Sequence, residues 1–149
     1  MNSDDQQELD LTRRGIYKAW ISHTIRFSDL DALGHVNNAV YSTFFEAGRA
    51  SLLRSMFDKY GGGRLDIVLA NIIIDYRREL TYPGGVDIGS AIKRIGNTSI
   101  VFVGGIFKQD STCCVATAEA RLVFFDLVER KPEVPPPPMR AELEKIFAG

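Results

Sequence analysis

Two kinds of patterning alternate along the chain. "WISHTIRFSDL" sets Trp20, Ser22, Thr24 and Arg26 against Ile21, His23, Ile25 and Phe27, the alternation of a strand with one buried face. From Asn38 to Phe57 the spacing becomes helical. Val40, Tyr41, Phe44, Phe45, Gly48, Leu52, Leu53 and Met56 recur at three- and four-residue steps. The wide apolar stripe predicts a helix packed deeply against a sheet. Asn37 or Asn38 can cap it, because an Asn side-chain oxygen accepts an orphan backbone N–H. Gly61-Gly62-Gly63 ends it. The remainder reads as β: "DIVLANIIIDYRREL", then the turn "YPGG", then "VDIGSAIKRIG", "SIVFVGGIFKQD" and "CCVATAEARLVFFDL", punctuated by "GNTS" and "QDST". Gly104-Gly105 inside a strand predicts a bulge or a close backbone approach. "PEVPPPP" is extended, and "MRAELEKIFA" predicts a short helix. One strand, one long helix and four further strands predict an α+β fold, with an antiparallel sheet of about five strands covered by the helix.

Composition narrows the class. The 149 residues suit one domain: residues 1 to about 16 read as a flexible polar tail and residues 17–149 as the folded unit. A 45% apolar, 25% charged chain builds a core, and a net charge of -1 gives no basic excess for nucleic acid. No apolar run reaches the length of a membrane span, and "MNSDDQQELDLTRR" is too acidic for a signal or transit peptide, so a cytoplasmic protein is expected. Cys113 and Cys114 are adjacent in a predicted strand. They should point to opposite faces, as packing thiols rather than a disulfide or a metal site.

The chemistry concentrates in "RFSDLDALGHVNNAVYSTFFEAGR", where Asp29, Asp31, Gly34, His35, Val36, Asn37 and Asn38 crowd the mouth of the helix. Each has an ordinary use: Asp29 and Asp31 in Asx turns, the Asn pair in capping, His35 in a solvated loop. Together they put carboxylates beside a helix N-terminus, which presents unpaired N–H groups and a positive dipole end. Acyl transfer uses that arrangement: the acid attacks or activates water, and the N–H groups hold the oxyanion.

"SDLDALGHVNNAVYSTFFEAGR" resembles the signature of the hot-dog-fold acyl-CoA thioesterases of the hydroxybenzoyl-CoA thioesterase type. Phe27, Asp29, Asp31 and Gly34, then Tyr41, Phe44, Phe45, Glu46 and Arg49, carry the likeness, which runs over roughly residues 20–147. The resemblance implies hydrolysis of an acyl-CoA thioester to a carboxylic acid and CoA, without a cofactor or metal. It implies Asp31 as nucleophile or general base, backbone N–H groups near Asn37 and Asn38 as carbonyl polarisers, and Asp29 as an organiser of the loop. Relatives that use an acid on the central helix make Glu46 the alternate catalyst, against an ion pair with Arg49 or Arg54. It also implies a homodimer or homotetramer joined edge to edge, with sites at the interface.

Tyr41, Phe44 and Phe45 are acyl-pocket candidates, against a plain core role. Arg77, Arg78, Lys93, Arg94 and Lys108 are candidates for CoA phosphates, against a solvated sheet edge. "GGVD" departs from the Gly-Asp of many relatives and leaves Asp87 without an implied role. Two rival activities share the fold. A dehydratase or hydratase would pair Asp31 with His35, and a non-catalytic acyl-CoA binder would need neither.

Overall fold

The computed structural model describes residues 8–149. The single α+β domain is the expected hot-dog arrangement, a long helix wrapped by a curled antiparallel sheet. Its elements are β1 (Ala19–Thr24), α1 (Asn38–Tyr60), β2 (Leu65–Tyr76), β3 (Gly85–Ile95), β4 (Ser99–Lys108), β5 (Cys114–Asp126), the two-residue β6 (Lys131–Pro132) and α2 (Pro137–Glu144). The strand order is β1-β3-β4-β5-β2, with β6 beside β5. The two early strands are therefore the sheet's edges, and the hairpins β3-β4-β5 form its centre.

The helix buries Tyr41, Phe44, Phe45, Gly48, Leu52, Leu53, Met56 and Phe57, largely the predicted stripe. These side chains meet Ile88, Ile92, Phe102, Ile106, Ala118, Leu122 and Phe124 from the concave sheet face. Two approaches are close. A Cβ on Gly48 would lie 2.7 Å from Ser90 Oγ, and one on Gly104 would lie 2.8 Å from the Phe45 ring. Gly105 faces outward, where a Cβ would meet the Tyr17 ring at 2.7 Å. The Gly pair therefore admits one aromatic on each face. The bulge lies further on, between Ile106 and Phe107.

Several boundaries shift. β1 stops at Thr24, because Phe27–Asp29 forms a 3-10 turn closed by the Arg26 and Asp29 side chains. β2 ends at Tyr76, and Arg77 and Arg78 both donate backbone N–H to Val115 O. α2 begins within the prolines, where missing N–H groups cost a first helical turn nothing. Of the expected tail, residues 1–7 lie outside the described residues. Leu9, Leu11, Ile16 and Tyr17 pack on the convex sheet face, and Tyr17 donates to Leu11 O at 2.6 Å. Arg14 lies over the Trp20 ring at 4.3 Å and pairs with Asp87 at 3.1 Å. Asp87 thus anchors this segment, also accepting from Ser22 and from the N–H of Asp110. Cys113 sits against the concave-side core and Cys114 against the convex-side cluster, as opposite-facing thiols should. Burial raises the Cys114 thiol above its usual range. Among the described residues, no helix is long and apolar enough to cross a membrane.

Candidate functional site

The loop between the 3-10 turn and α1 is ordered from within. Asp29 is 2% exposed, and its carboxylate accepts the Arg26 backbone N–H at 2.8 Å and its guanidinium at 2.8 and 3.2 Å. Burial pushes this carboxyl up, but the hydrogen bonds and charge of Arg26 outweigh it and hold it below the usual carboxylate range. The Asp29 carbonyl accepts the N–H of Asn37 at 2.8 Å. Leu30 and Val36 bridge, and Asp31 donates its N–H to His35 O at 2.8 Å. Gly34 has φ +82, a left-handed conformation that favours glycine in this tight loop.

Asp31 is half-buried. Its Oδ1 accepts the N–H groups of Leu33 at 2.9 Å and His35 at 3.3 Å. Both bonds end on one oxygen, so the carboxylate is oriented and Oδ2 is left outside them. Asn37 is the N-cap: its Oδ1 accepts the N–H of Ala39 at 3.0 Å, and its carbonyl accepts that of Val40 at 2.9 Å. With Asn37, Ala39 and Val40 all engaged, the donor left at the helix start is Asn38 N–H. Residue N1 of a helix has no intrahelical acceptor. Sequence reasoning named Asn37 and Asn38 together; the turn that binds Asn37 N–H to Asp29 separates them.

A second segment holds the loop from the side. Val36 donates to Leu80 O at 2.9 Å, His35 Nε2 lies 3.2 Å from Glu79 Oε2, Tyr41 donates to Arg78 O at 3.4 Å, and Tyr76 to Asn38 O at 3.2 Å. His35 thus aims its ring at Glu79 and meets Asp31 only through its backbone. An Asp31–His35 dyad for proton transfer to carbon is not assembled here.

Glu46 lies eight residues beyond Asn38, about 12 Å along the helix at 1.5 Å per residue. It is exposed and lies 3.5 Å from Arg49, the ion pair weighed against a catalytic role. Arg54 pairs with Asp66 instead. Tyr41, Phe44 and Phe45 are all buried: Phe45 against Gly104, Phe44 with its ring 5.9 Å from that of His23, and Tyr41 edge-on to Tyr76. Within one chain they are core side chains.

The five basic candidates are not brought together. Lys93 pairs with Glu119 across the convex face at 2.8 Å. Arg94 sits beside the β3 bulge opposite Val101, and Lys108 lies at the other end of β4, opposite Val86. Eight residues of strand, about 27 Å, separate those two positions. Arg77 and Arg78 remain adjacent, in a depression of about 620 Å3 that they share with Thr12, Thr112, Cys113 and Cys114. Thr12 was missed because it falls in the segment read as tail.

The comparisons with known proteins agree with the fold. An Aquifex aeolicus protein named a putative esterase is 28% identical over 99 residues, covering 64% of this chain and 74% of its own. The crystal structure of YbaW, a probable thioesterase of Escherichia coli, superposes with a TM-score of 0.76 at 27% identity, covering 86% of this chain and 98% of YbaW. The PA5185 protein of Pseudomonas aeruginosa shares the fold at a TM-score of 0.79 and 22% identity, covering 92% and 96% of the two chains. The model of the thioesterase-like superfamily matches residues 25–143, which includes the loop, α1 and every long strand after it, and the chain belongs to that superfamily.

Proposed function

We propose that the protein hydrolyses an acyl-CoA thioester to a carboxylic acid and free thiol, in the manner of the hydroxybenzoyl-CoA thioesterase type, with Asp31 as nucleophile or general base. The observation that carries this reading is the pairing of an oriented carboxylate with one free helix-start donor, Asn38 N–H, in a loop where the N–H groups of Leu33, Gly34, His35, Val36 and Asn37 are engaged. A thioester carbonyl is a good electrophile with a good leaving group, so a carboxylate and preorganised N–H donors suffice. In the nucleophilic route, Asp31 forms an anhydride with the acyl group, the thiolate leaves, and water cleaves the anhydride. In the general-base route, Asp31 takes a proton from water as it attacks. In either, Asn38 N–H faces the developing oxyanion.

The site is completed by a second copy of the chain. Asn37, Asn38 and Ala39 are exposed in one chain, so a wall is wanted to exclude water from the acyl group. β2 is a twelve-residue edge strand with Val68, Leu69, Ile73 and Tyr76 exposed, the kind of edge that natural proteins pair or cover. Two β2 strands joined across a two-fold axis satisfy both needs.

Release of free thiol from a panel of acyl-CoAs, varied in chain length and in aromatic or aliphatic head, tests the reading. Turnover of at least one class is expected. Hydration or dehydration of an enoyl or hydroxyacyl thioester without thiol release would replace it with the rival activity.

A further inference from the structure

α1 covers the concave face of the sheet, and the apolar convex face needs a cover of its own. The segment before β1 supplies it. Leu9, Leu11, Ile16 and Tyr17 close over Ala91, Val103, Phe107 and Cys114. The sheet is shaped to receive them. Gly89 and Gly105 face each other across β3 and β4. A Cβ on Gly89 would lie 2.7 Å from Tyr17 Cγ, and one on Gly105 would lie 2.6 Å from the Tyr17 hydroxyl oxygen. Glycine weakens a strand because it has no side chain to pack, so an unfilled pair would leave a hole. The Tyr17 ring fills it. Arg14 fastens the segment beside the ring. Its guanidinium lies 4.3 Å from the Trp20 ring, donates to Ser111 O at 2.8 Å and pairs with Asp87 at 3.1 Å. The Ile16 carbonyl accepts the N–H of Gly149 at 3.0 Å, and Ala148 packs on the same cluster. Residues 9–17 are thus a strap seated in a socket of the sheet.

We propose that this strap closes the convex face to a second copy of the chain, so that self-association stops at one pair joined through β2. The inference rests on the edge pairing proposed above and goes beyond it. Without the strap, Ala91, Val103, Phe107 and the two glycines would be bared beside Trp20, and an apolar sheet back of that kind invites another like it. The strap removes this surface. It also changes the charge of what remains. The depression beside it carries Glu8, Asp10, Asp75 and Glu119 against Arg77 and Lys93. Two copies stacked about a two-fold axis would set this net negative patch against itself. Glu8 and Asp10 lie at the start of the strap. Without them the patch is balanced, Asp75 and Glu119 against Arg77 and Lys93. Cover and repulsion therefore come from the same segment and leave together.

Full-length chains test the proposal without requiring turnover. Trp20 is the one tryptophan of the sequence, and Tyr17 lies edge-on to it at 5.7 Å, so its fluorescence reports the strap. Two variants release the strap from opposite sides. Arg14→Ala/Tyr17→Ala removes its anchors, and Gly89→Ala/Gly105→Ala fills its socket while keeping every strap residue. Light scattering should give the wild-type chain twice its own mass at every concentration. The Lys18 N–H, bonded to Ser90 O at 3.0 Å, should exchange slowly with solvent. In each variant folded by circular dichroism, acrylamide should quench Trp20 more strongly, and the mass should climb about twofold as concentration rises. A wild-type chain at four times its mass, fast exchange at Lys18, unchanged Trp20 quenching in both folded variants, or stronger quenching without a rise in mass would overturn the strap's role. The wild-type measurements decide even where a variant does not fold. A monomeric wild-type chain would remove the edge pairing instead, and the strap would then be read from a step of one copy to two.

Discussion

The backbone N–H of Asn37 is bonded to the carbonyl of Asp29, at 2.8 Å. This one contact removes Asn37 from the donors available to a substrate and leaves Asn38 as the residue whose N–H opens the helix.

That relationship gives a backbone test. Asn38 is N1 of α1, where proline is tolerated, and Asn37 already has φ -59 and ψ 139, the extended geometry that a residue before proline requires. Asn38→Pro should therefore keep the helix and delete the donor. The expected loss is about 10²–10³ in kcat with an unchanged circular dichroism spectrum. A variant that turns over normally would place the oxyanion elsewhere.

Three buried carboxylates set an acid limit. Arg26 holds Asp29 low despite its burial. Asp87 is lowered likewise: burial raises it, but Ser22, the N–H of Asp110 and Arg14 win. Asp126 is lowered chiefly by its hydrogen bond from Arg64. With folded-state values below unfolded ones, their stabilisation is complete above about pH 4 and is lost as the pH falls through the folded values. Urea midpoints should agree between pH 7 and pH 5 and drop at pH 3. Asp29→Asn should lower the midpoint at pH 7 and flatten that drop. An unchanged acid slope would remove Asp29 from the account.

Gly104 tests the helix-to-sheet contact. Its added Cβ would press on the Phe45 and Phe102 rings, both fully buried. Gly104→Ala should cost about 1–3 kcal/mol in urea unfolding, because a packed core does not yield cheaply. A neutral result would mean that the helix sits further from the sheet than described.

These elements also show what the sequence made legible. Gly104-Gly105 predicted a close approach because only a missing Cβ lets an aromatic touch a strand, and the wide stripe from Val40 to Met56 predicted a helix buried on a sheet. Loop order was legible where the signal was local, as in the Asn cap and the acids before Gly34. Contacts made across the sheet were not. Nothing near Lys93 in sequence announces Glu119, which reaches it across the convex face, so five basic residues looked alike until the fold paired Lys93, set Arg94 and Lys108 far apart and left Arg77 and Arg78 side by side. The packing of Leu9, Leu11 and Arg14 was hidden for the same reason: their partners Tyr17, Phe107 and Asp87 lie mostly on distant strands.

Edge pairing is open to a mass measurement. Ile73 is 60% exposed in the middle of the outward side of β2. Light scattering at micromolar concentration should give two or four times the chain mass. If each site borrows a wall from its partner, Ile73→Glu should shift it to the monomer and lower turnover with it. A monomeric wild-type chain with full activity would contradict the shared site.

The central claim is that Asp31 carries the chemistry. Asp31→Asn keeps an oxygen for the N–H groups of Leu33 and His35, so the loop should fold as before. Glu46→Gln removes the exposed partner of Arg49, whose own side chain is largely buried, so it should lower stability and leave turnover nearly unchanged. The deciding measurement is kcat for thiol release by these two variants on the best acyl-CoA of the panel, with thermal melts confirming the fold. The account predicts a fall of about 10²–10⁴ for Asp31→Asn and less than about twofold for Glu46→Gln. Wild-type turnover in Asp31→Asn with loss in Glu46→Gln would contradict it and make the helix carboxylate the catalyst.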